Sequence, residues 1–262
     1  FWGDRTSTIN WCEEDYIESK FLAEKWNTVS NLGFLCLALF GLRCVHDGRL
    51  ERRFAILYLG LALVGFGSWW FHMTLWRVMQ VYFDELPMLI VGAIFAYVVM
   101  EMDASAKRRR QHGLLLPIVL AGYVIGVSVI YVIKDDPLIH QTGFFFLVVG
   151  IAARATWLVS RLPGTVSTNP AKRTLCIFTV IGTGSYILAF ALWNVDNAYC
   201  SNLRELRHRV GKPFDVLFQL HSLWHLGTAI GTYHGIVAMS YLRSLYLGAE
   251  SKYEIRWICG VV

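Results

Sequence analysis

The sequence has 262 residues, of which 55% are hydrophobic and 16% are charged, and its formal net charge is +5. A soluble domain of this size carries about 25% charged residues, so the composition excludes an ordinary soluble domain and indicates a polytopic helical membrane protein. The positive charge does not indicate nucleic-acid binding, because Lys and Arg lie mainly in the loops between apolar segments.

Seven apolar segments follow a polar, acidic head that covers residues 1–25. Each segment is about 20 residues or longer, which is enough to cross the ~30 Å hydrocarbon core of a bilayer. The segments lie at 26–44, 54–75, 82–101, 113–133, 138–160, 174–195 and 216–246. The pattern predicts an all-α, seven-transmembrane-helix bundle that forms one domain over residues 26–246, followed by a tail over residues 247–262.

The distribution of Lys and Arg predicts the orientation of this bundle. The 43–53, 102–112 and 161–173 loops and the C-terminal end together hold fourteen of these residues, and the opposite side holds nine. Cytosolic loops carry an excess of Lys and Arg. We therefore expect a lumenal N-terminus and a cytosolic C-terminus.

Polar residues lie at the predicted lumenal ends of several segments. They are Ser68 and His72 at the end of the second segment, Asp84 at the start of the third, and His221 and His225 in the first turns of the seventh. Residues four apart share one face of a helix, so the two members of each spaced pair point the same way. Ionisable residues at membrane depth are costly and mark functional sites, which favours one shared site in this layer.

The three histidines predict a metal centre. His221 and His225 can bind one ion from a single helix, and His72 supplies a third ligand from another helix. Three protein ligands with one open position are typical of catalytic zinc, whereas structural zinc sites close with four. The alternative is that all three are hydrogen-bonded interior groups. We interpret His140 and His234, which have no helical partner, in that structural way.

Ser68 and Asp84 each have two interpretations. The Ser68 hydroxyl could donate to an oxygen held near the metal, or it could bond back to its own helix. Asp84 could act as a base toward water, or orient a histidine ligand, or simply cap the third helix at the membrane edge. The residues alone leave these alternatives open.

The acidic head offers oxygen ligands for a hard cation, and Ca²⁺ takes about 6–8 of them. Its oxygen-bearing side chains are Asn10, Glu13, Glu14, Asp15 and Glu24. Their spacing is not that of an EF-hand loop, and acidic patches are usually solvated, so both interpretations stay open.

The cysteines divide between the two sides of the predicted bundle. Cys12 and Cys200 both lie on the lumenal side, where a disulfide can persist, although both could instead be reduced. The others lie in segments or on the cytosolic side and are expected to be free: Cys36, Cys44, Cys176 and Cys259.

Several blocks of the sequence resemble the alkaline ceramidases. They are TSTINWCEEDY at 6–16, AEKWNTVSN at 23–31, GSWWFHMTL at 67–75, DELPM at 84–88, WNVDN at 193–197 and QLHSLWH at 219–225. The resemblance covers nearly the whole chain. It implies a seven-helix, zinc-dependent amidase of the endoplasmic reticulum or Golgi membrane that cleaves ceramide, phytoceramide or dihydroceramide into a sphingoid base and a fatty acid, with no protein partner implied.

The resemblance also assigns roles to individual residues. It implies zinc ligands at His72, His221 and His225, an oxyanion-stabilising serine at Ser68 and an acid–base aspartate at Asp84. The implied calcium ligands, which make Ca²⁺ a structural activator, are Asn10, Trp11 through its backbone carbonyl, Glu13, Asp15 and Glu24. A disulfide between head and loop in the family matches Cys12 and Cys200.

The chain departs from the family pattern in two places. The family usually has Asp where Asn10 stands and often Asn where Asp15 stands, so the two exchanges conserve charge. We also expect one residue fewer between the family's histidine and aspartate than lies between His72 and Asp84. A lipid-responsive receptor with a structural zinc site, as in the receptor branch of the wider superfamily, is the alternative function.

Overall fold

The computed structural model describes residues 1–103 and 111–249, and within these two ranges the chain is helical and contains no β-strand. The α-helices are α1 Lys25–Ser30, α2 Leu32–Asp47, α3 Arg52–Thr74, α4 Leu86–Met100, α5 Leu115–Lys134, α6 Pro137–Ser160, α7 Pro170–Ala198, α8 Cys200–Val210 and α9 Leu220–Tyr246. A π-helix at Met79–Glu85 leads into α4, and a 3₁₀ helix at Phe214–Phe218 precedes α9. The all-α prediction is confirmed for the described residues.

Six stretches of the described chain are long and apolar enough to cross a membrane. They are Lys25–Asp47, Arg52–Thr74, Met79–Met100, Leu115–Lys134, Pro137–Ser160 and Pro170–Ala198. They coincide with the first six predicted segments, and α9 coincides with the seventh but carries more polar residues. The seven-span count, the orientation of the termini and the division into domains stay predictions. Most of the predicted tail, residues 250–262, and Cys259 within it, lie outside the described residues.

The interior of the bundle is a dense apolar core. Its largest fully buried side chains include Tyr233 on α9, Phe54 and Leu57 on α3, and Phe178 on α7. In contrast, α5 buries only Tyr131 near its end. The core therefore holds α3, α7 and α9 together, and α5 lies at the periphery, against α4 and α6.

Two predicted segments differ locally from a continuous α-helix. The first is interrupted at Asn31, which separates α1 from α2. The third begins with the π-helix, whose wider turn holds one residue more than an α-turn. The backbone of this π-helix lies against α3 at Gly67, where an added Cβ would come to 1.6 Å from the Phe83 carbonyl oxygen. Only glycine fits at this crossing, and the contact brings the end of the π-helix to the face of α3 that carries Ser68.

The head docks on the end of α3 through its own backbone. The N–H groups of Ala23 and Glu24 donate to the carbonyl oxygens of Met73 and His72, both at 3.0 Å. The last carbonyls of a helix have no intrahelical partner, so this pairing satisfies groups that would otherwise be orphaned. The head is therefore fixed to the helix that carries His72.

The loop predicted between the sixth and seventh segments is partly helical. It contains α8, which the sequence analysis did not predict because residues 200–210 are mostly polar and the apolar face of this helix is narrow. Its Arg207 is buried and donates to the Cys12 carbonyl at 2.7 Å. The Cys12–Cys200 disulfide ties the head to the start of this helix. That bridge is confirmed, and the described cysteines predicted to be free are free.

Candidate active site

The three predicted metal ligands meet in one buried cluster. His72 comes from the last turn of α3, and His221 and His225 come from the first two turns of α9. Their ring centroids are 4.7 to 5.2 Å apart, and one potential ligand nitrogen from each lies within 4.8 Å of the others. The structure thus brings together residues from distant parts of the sequence, which the analysis of segment ends predicted to lie at one depth in the bundle.

Two of the three imidazoles are oriented by a hydrogen bond at Nδ1. The Ser30 hydroxyl donates to the Asn27 carbonyl at 3.0 Å, so its oxygen is left to accept from His225 Nδ1 at 2.8 Å. His72 Nδ1 lies 2.5 Å from Glu24 Oε2, and when Glu24 is ionised this nitrogen is the donor. In both rings Nε2 is then the free ligand atom. An oriented set of buried neutral imidazoles is a nitrogen donor set that fits zinc.

The third imidazole is held by stacking instead. His221 Nδ1 is buried and has no hydrogen-bond partner among the described residues. The Trp11 indole lies flat on the His221 ring, with centroids 3.9 Å apart and planes inclined by 16°. Trp11 entered the sequence analysis only through its backbone carbonyl. No spacing in the sequence pointed to this contact between the head and α9.

Ser68 and Asp84 lie together beside the cluster. Their side chains are neighbours, and both line the same cavity as His221 and His225. Asp84 lies inside the π-helix and is not the N-cap of α4, so the helix-cap interpretation is wrong. One hydroxyl and one carboxyl group thus lie on the cavity wall beside the histidines.

The neighbouring Glu85 belongs to a separate polar network. It accepts from Tyr131 Oη at 2.5 Å, and Gln80 Nε2 donates to the same hydroxyl at 3.1 Å. Gln80 also binds the head, because the Thr8 N–H donates to its Oε1 at 3.0 Å. His140 Nε2 contacts the Glu85 carbonyl oxygen at 2.9 Å. These contacts place His140 in a structural role and stabilise the π-helix that carries Asp84.

Glu13 and Glu24 are the most deeply buried of the predicted calcium ligands. Both carboxylate oxygens of Glu13 accept backbone N–H bonds, from Trp26 at 2.7 Å and from Asn27 at 2.8 Å. Glu13 therefore caps the first turn of α1. Burial raises the pKa of Glu13 and of Glu24 to about 8. Ionising either carboxyl group is therefore costly unless a positive charge lies nearby.

The remaining head residues surround these carboxylates. With its amide turned to donate, Asn10 reaches Asp15 Oδ1 at 3.2 Å. Burial raises the pKa of Asp15, and the nearby Arg5 and Arg204 guanidinium groups act in the opposite direction. The Trp11 backbone N–H faces the Glu24 carboxylate. The predicted oxygen ligands thus lie in one part of the head, next to the histidine cluster.

A cavity of about 680 Å³ extends from the cluster into the bundle. Its walls are mostly apolar side chains of α3, α4, α6, α7 and α9. Phe145 on α6 and Phe190 on α7 line it, with ring centroids 6.2 Å apart and about half of each side chain accessible to solvent. The cavity is large enough for a lipid-sized ligand.

Comparison with known proteins decides the family. The sequence model described as Ceramidase matches residues 3–262. The chain belongs to the ceramidase family. It is 38% identical to alkaline ceramidase 3 of Mus musculus, and the match covers 100% of this chain and 92% of that protein.

Two further relatives carry the same designation. Identity is 34% to alkaline ceramidase YPC1 of Saccharomyces cerevisiae, over 98% of this chain and 83% of that protein. It is 26% to an alkaline ceramidase of Arabidopsis thaliana, over 100% of this chain and 93% of that protein. The family predicted from the sequence blocks is confirmed.

Proposed function

We propose that this ceramidase-family protein hydrolyses the amide bond of ceramides with a zinc ion held by His72, His221 and His225. One observation carries the proposal: the buried histidine cluster opens on a lipid-sized apolar cavity, and Ser68 and Asp84 line the same cavity. When bound, zinc would act as a Lewis acid and lower the pKa of water to roughly 7.

The residues of the chain have separate parts in this reaction. The apolar walls bind the hydrocarbon tails and exclude water from the amide. The Ser68 hydroxyl is placed to donate to the oxygen that gains charge as the amide carbon is attacked. Asp84 is placed to accept a proton from the attacking water and to return it to the departing amine, which is the role of a general base and acid.

Substrate entry from the bilayer is consistent with the outer wall of the cavity. Phe145 on α6 and Phe190 on α7 line the cavity, and about half of each side chain is accessible to solvent. Aromatic rotamer changes at this point would connect the cavity with surrounding lipid without unfolding a helix. A substrate with two long tails lies in the bilayer and does not need to pass through water to reach the cavity.

We further propose that the acidic head binds calcium and that the ion acts as a structural activator. Buried carboxylates are costly unless they are paired or coordinate a metal, and Glu13 and Glu24 are both buried. A cation beside Glu24 would keep that carboxylate ionised, so that it accepts from His72 Nδ1 and leaves Nε2 free for zinc. Calcium in the head would thus prepare one ligand of the metal centre.

A matched pair of histidine variants tests the zinc proposal. His221→Ala removes one member of the cluster, and His234→Ala removes another buried histidine of the same helix, one that lies outside the cluster. Zinc content and release of sphingoid base are measured on the same purified protein. We expect about one zinc per chain and hydrolysis in the wild type and in His234→Ala, and loss of both in His221→Ala.

The contrary outcomes point elsewhere. Substantial hydrolysis by folded His221→Ala would refute the metal assignment. Zinc bound by the wild type without release of a fatty acid from any ceramide would favour the lipid-responsive receptor. Membership of the family predicts location in the endoplasmic reticulum or Golgi membrane, which fluorescence imaging of the tagged chain would test.

A further inference from the structure

A second, smaller cavity of about 110 Å³ adjoins the main one and shares part of its lining. Both cavities are lined by Phe95 on α4, Ala152 on α6, Thr183 and Tyr186 on α7, and Thr232 on α9. At 1.5 Å per residue, Thr232 lies about 10 Å beyond His225 along α9, and Met239, at the far end of the small cavity, lies about 21 Å beyond it. The small cavity is therefore the continuation of the main cavity away from the histidine cluster.

A single hydrogen bond marks the boundary between the two cavities. The Tyr186 and Thr232 hydroxyls lie 2.6 Å apart and satisfy each other. Beyond them the Thr179 hydroxyl donates to the Leu175 carbonyl at 2.8 Å. These hydroxyls are occupied within the protein, so the space is lined by apolar surface. Apolar cavities accept apolar ligands, and one of about 150 Å³ binds benzene.

Glycines on α7 and α9 create the space. At Gly231 an added Cβ would come to 2.6 Å from the Tyr186 ring and 2.9 Å from the Gly182 carbonyl, so the two helices touch there. At Gly235 an added Cβ would meet only the Phe95 ring, at 3.3 Å, and no backbone atom within 4 Å. Gly235 is thus the point where a side chain could enter the small cavity without forcing the helices apart.

We propose that the small cavity is a subsite for the end of one hydrocarbon tail of the substrate, with Gly235 as its specificity-determining residue. This inference rests on the proposed function. Half of the ~30 Å hydrocarbon core, about 15 Å, is the reach of a tail that fills one leaflet. Such a tail, measured from the histidine cluster, passes the Tyr186–Thr232 bond and ends beside Gly235. A much shorter tail ends in the main cavity.

The test compares ceramides with tails of different length. One substrate carries an acyl chain of about 18 carbons, long enough to fill a leaflet of the ~30 Å core, and another carries about 8 carbons. A second series varies the sphingoid base in the same way. The variants are Gly235→Val, which fills the subsite, and Gly184→Val, an exposed glycine of α7 with nothing within 4 Å of an added Cβ.

Gly235→Val is expected to lower kcat/KM for the long substrate of one series by at least about 10-fold, the effect of a single methylene in a fitted apolar pocket. The short substrate should change by less than about twofold, and Gly184→Val should change neither. The series that responds identifies the tail. Gly235→Ala, expected to give a smaller loss of the same selectivity, serves if Gly235→Val does not fold.

Three results would overturn the inference. In the first, long and short substrates lose activity equally in both series. In the second, folded Gly235→Val keeps the wild-type selectivity. In the third, the wild type hydrolyses no ceramide of any length, and this result alone would also refute the proposed function.

Discussion

The histidine cluster and the acidic head are two candidate cation sites built in opposite ways. The cluster takes nitrogen atoms from α3 and α9, whose positions are set by a dense apolar core. The head has no regular helix before Lys25 and offers oxygen atoms from an irregular segment held by a disulfide and by backbone bonds to α3. A rigid frame suits a catalytic centre that must hold its geometry without help. An irregular segment suits a site in which the bound ion itself fixes the arrangement of its ligands.

The two sites are nevertheless in contact at two points. Glu24 of the head hydrogen-bonds His72, and Trp11 of the head stacks on His221. The head thus supplies part of the surroundings of the cluster. Substitutions in the cluster and in the head can therefore separate the properties of the metal centre from those that the head adds.

The largest effect is expected at Asp84, which belongs to the centre alone. Asp84→Asn keeps the shape and the contact with Ser68 but cannot accept a proton. We expect kcat to fall about 10²–10⁴-fold, the usual contribution of general acid–base catalysis, while zinc content and thermal stability stay close to the wild type. Steady-state kinetics and metal analysis on one sample check this. Full activity in Asp84→Asn would remove the proton-transfer role.

Removing the disulfide tests how firmly the head is attached to the bundle. Replacing Cys12 and Cys200 together by Ser opens a link that spans 188 positions of sequence. We expect the free energy of unfolding to fall by about 2–4 kcal/mol, with protease cleavage of the head as the first local sign. Cys36→Ser, at an exposed free cysteine, is the control. An unchanged cleavage pattern would show that hydrogen bonds hold the head in place without the disulfide.

Substitutions of Glu24 and Glu13 test whether the head affects the metal affinity of the histidine cluster. Both are buried head carboxylates, but only Glu24 contacts a histidine of the cluster. Glu24→Gln should lower zinc affinity about 10–100-fold, as loss of a ligand-orienting partner does, and should abolish the rise in melting temperature on adding calcium. Zinc retention against a chelator and thermal unfolding with and without calcium are the measurements.

Glu13→Gln serves as the matched comparison for Glu24→Gln. It should abolish the calcium effect and destabilise α1 by about 0.5–2 kcal/mol through the lost cap, yet leave zinc affinity nearly unchanged. Equal zinc loss in both variants would mean that the head acts on the cluster as a whole and not through Glu24.

The smallest effect is expected from the Trp11 side chain. Trp11→Phe keeps an aromatic ring over His221, whereas Trp11→Leu removes it; both keep the backbone carbonyl predicted to bind calcium. Stacked aromatic pairs contribute about 0.5–1.5 kcal/mol beyond burial. Zinc should therefore dissociate several-fold faster from Trp11→Leu than from Trp11→Phe, with the calcium-induced stabilisation intact in both. Equal dissociation rates would assign Trp11 to packing only.

Much of the fold and of the cluster was predictable because local spacing carries the information. Apolar runs of membrane length located the helices, and the interval from His221 to His225 placed two histidines on one face of α9 before any tertiary contact was known. Ser68 and His72 follow the same rule on α3. Helical periodicity and the cost of polar groups at membrane depth are properties of the sequence alone, so these conclusions needed no structure.

Only the tertiary structure decided how distant segments meet. The contact of Glu24 with His72 joins residues 48 apart, and that of Ser30 with His225 joins residues 195 apart; no periodicity reports such pairs. The π-helix that carries Asp84 depends on the crossing of its backbone with Gly67 on α3. The small cavity beside Gly235 exists because α4, α6, α7 and α9 converge there. Packing sets these features, and packing is a property of the whole chain.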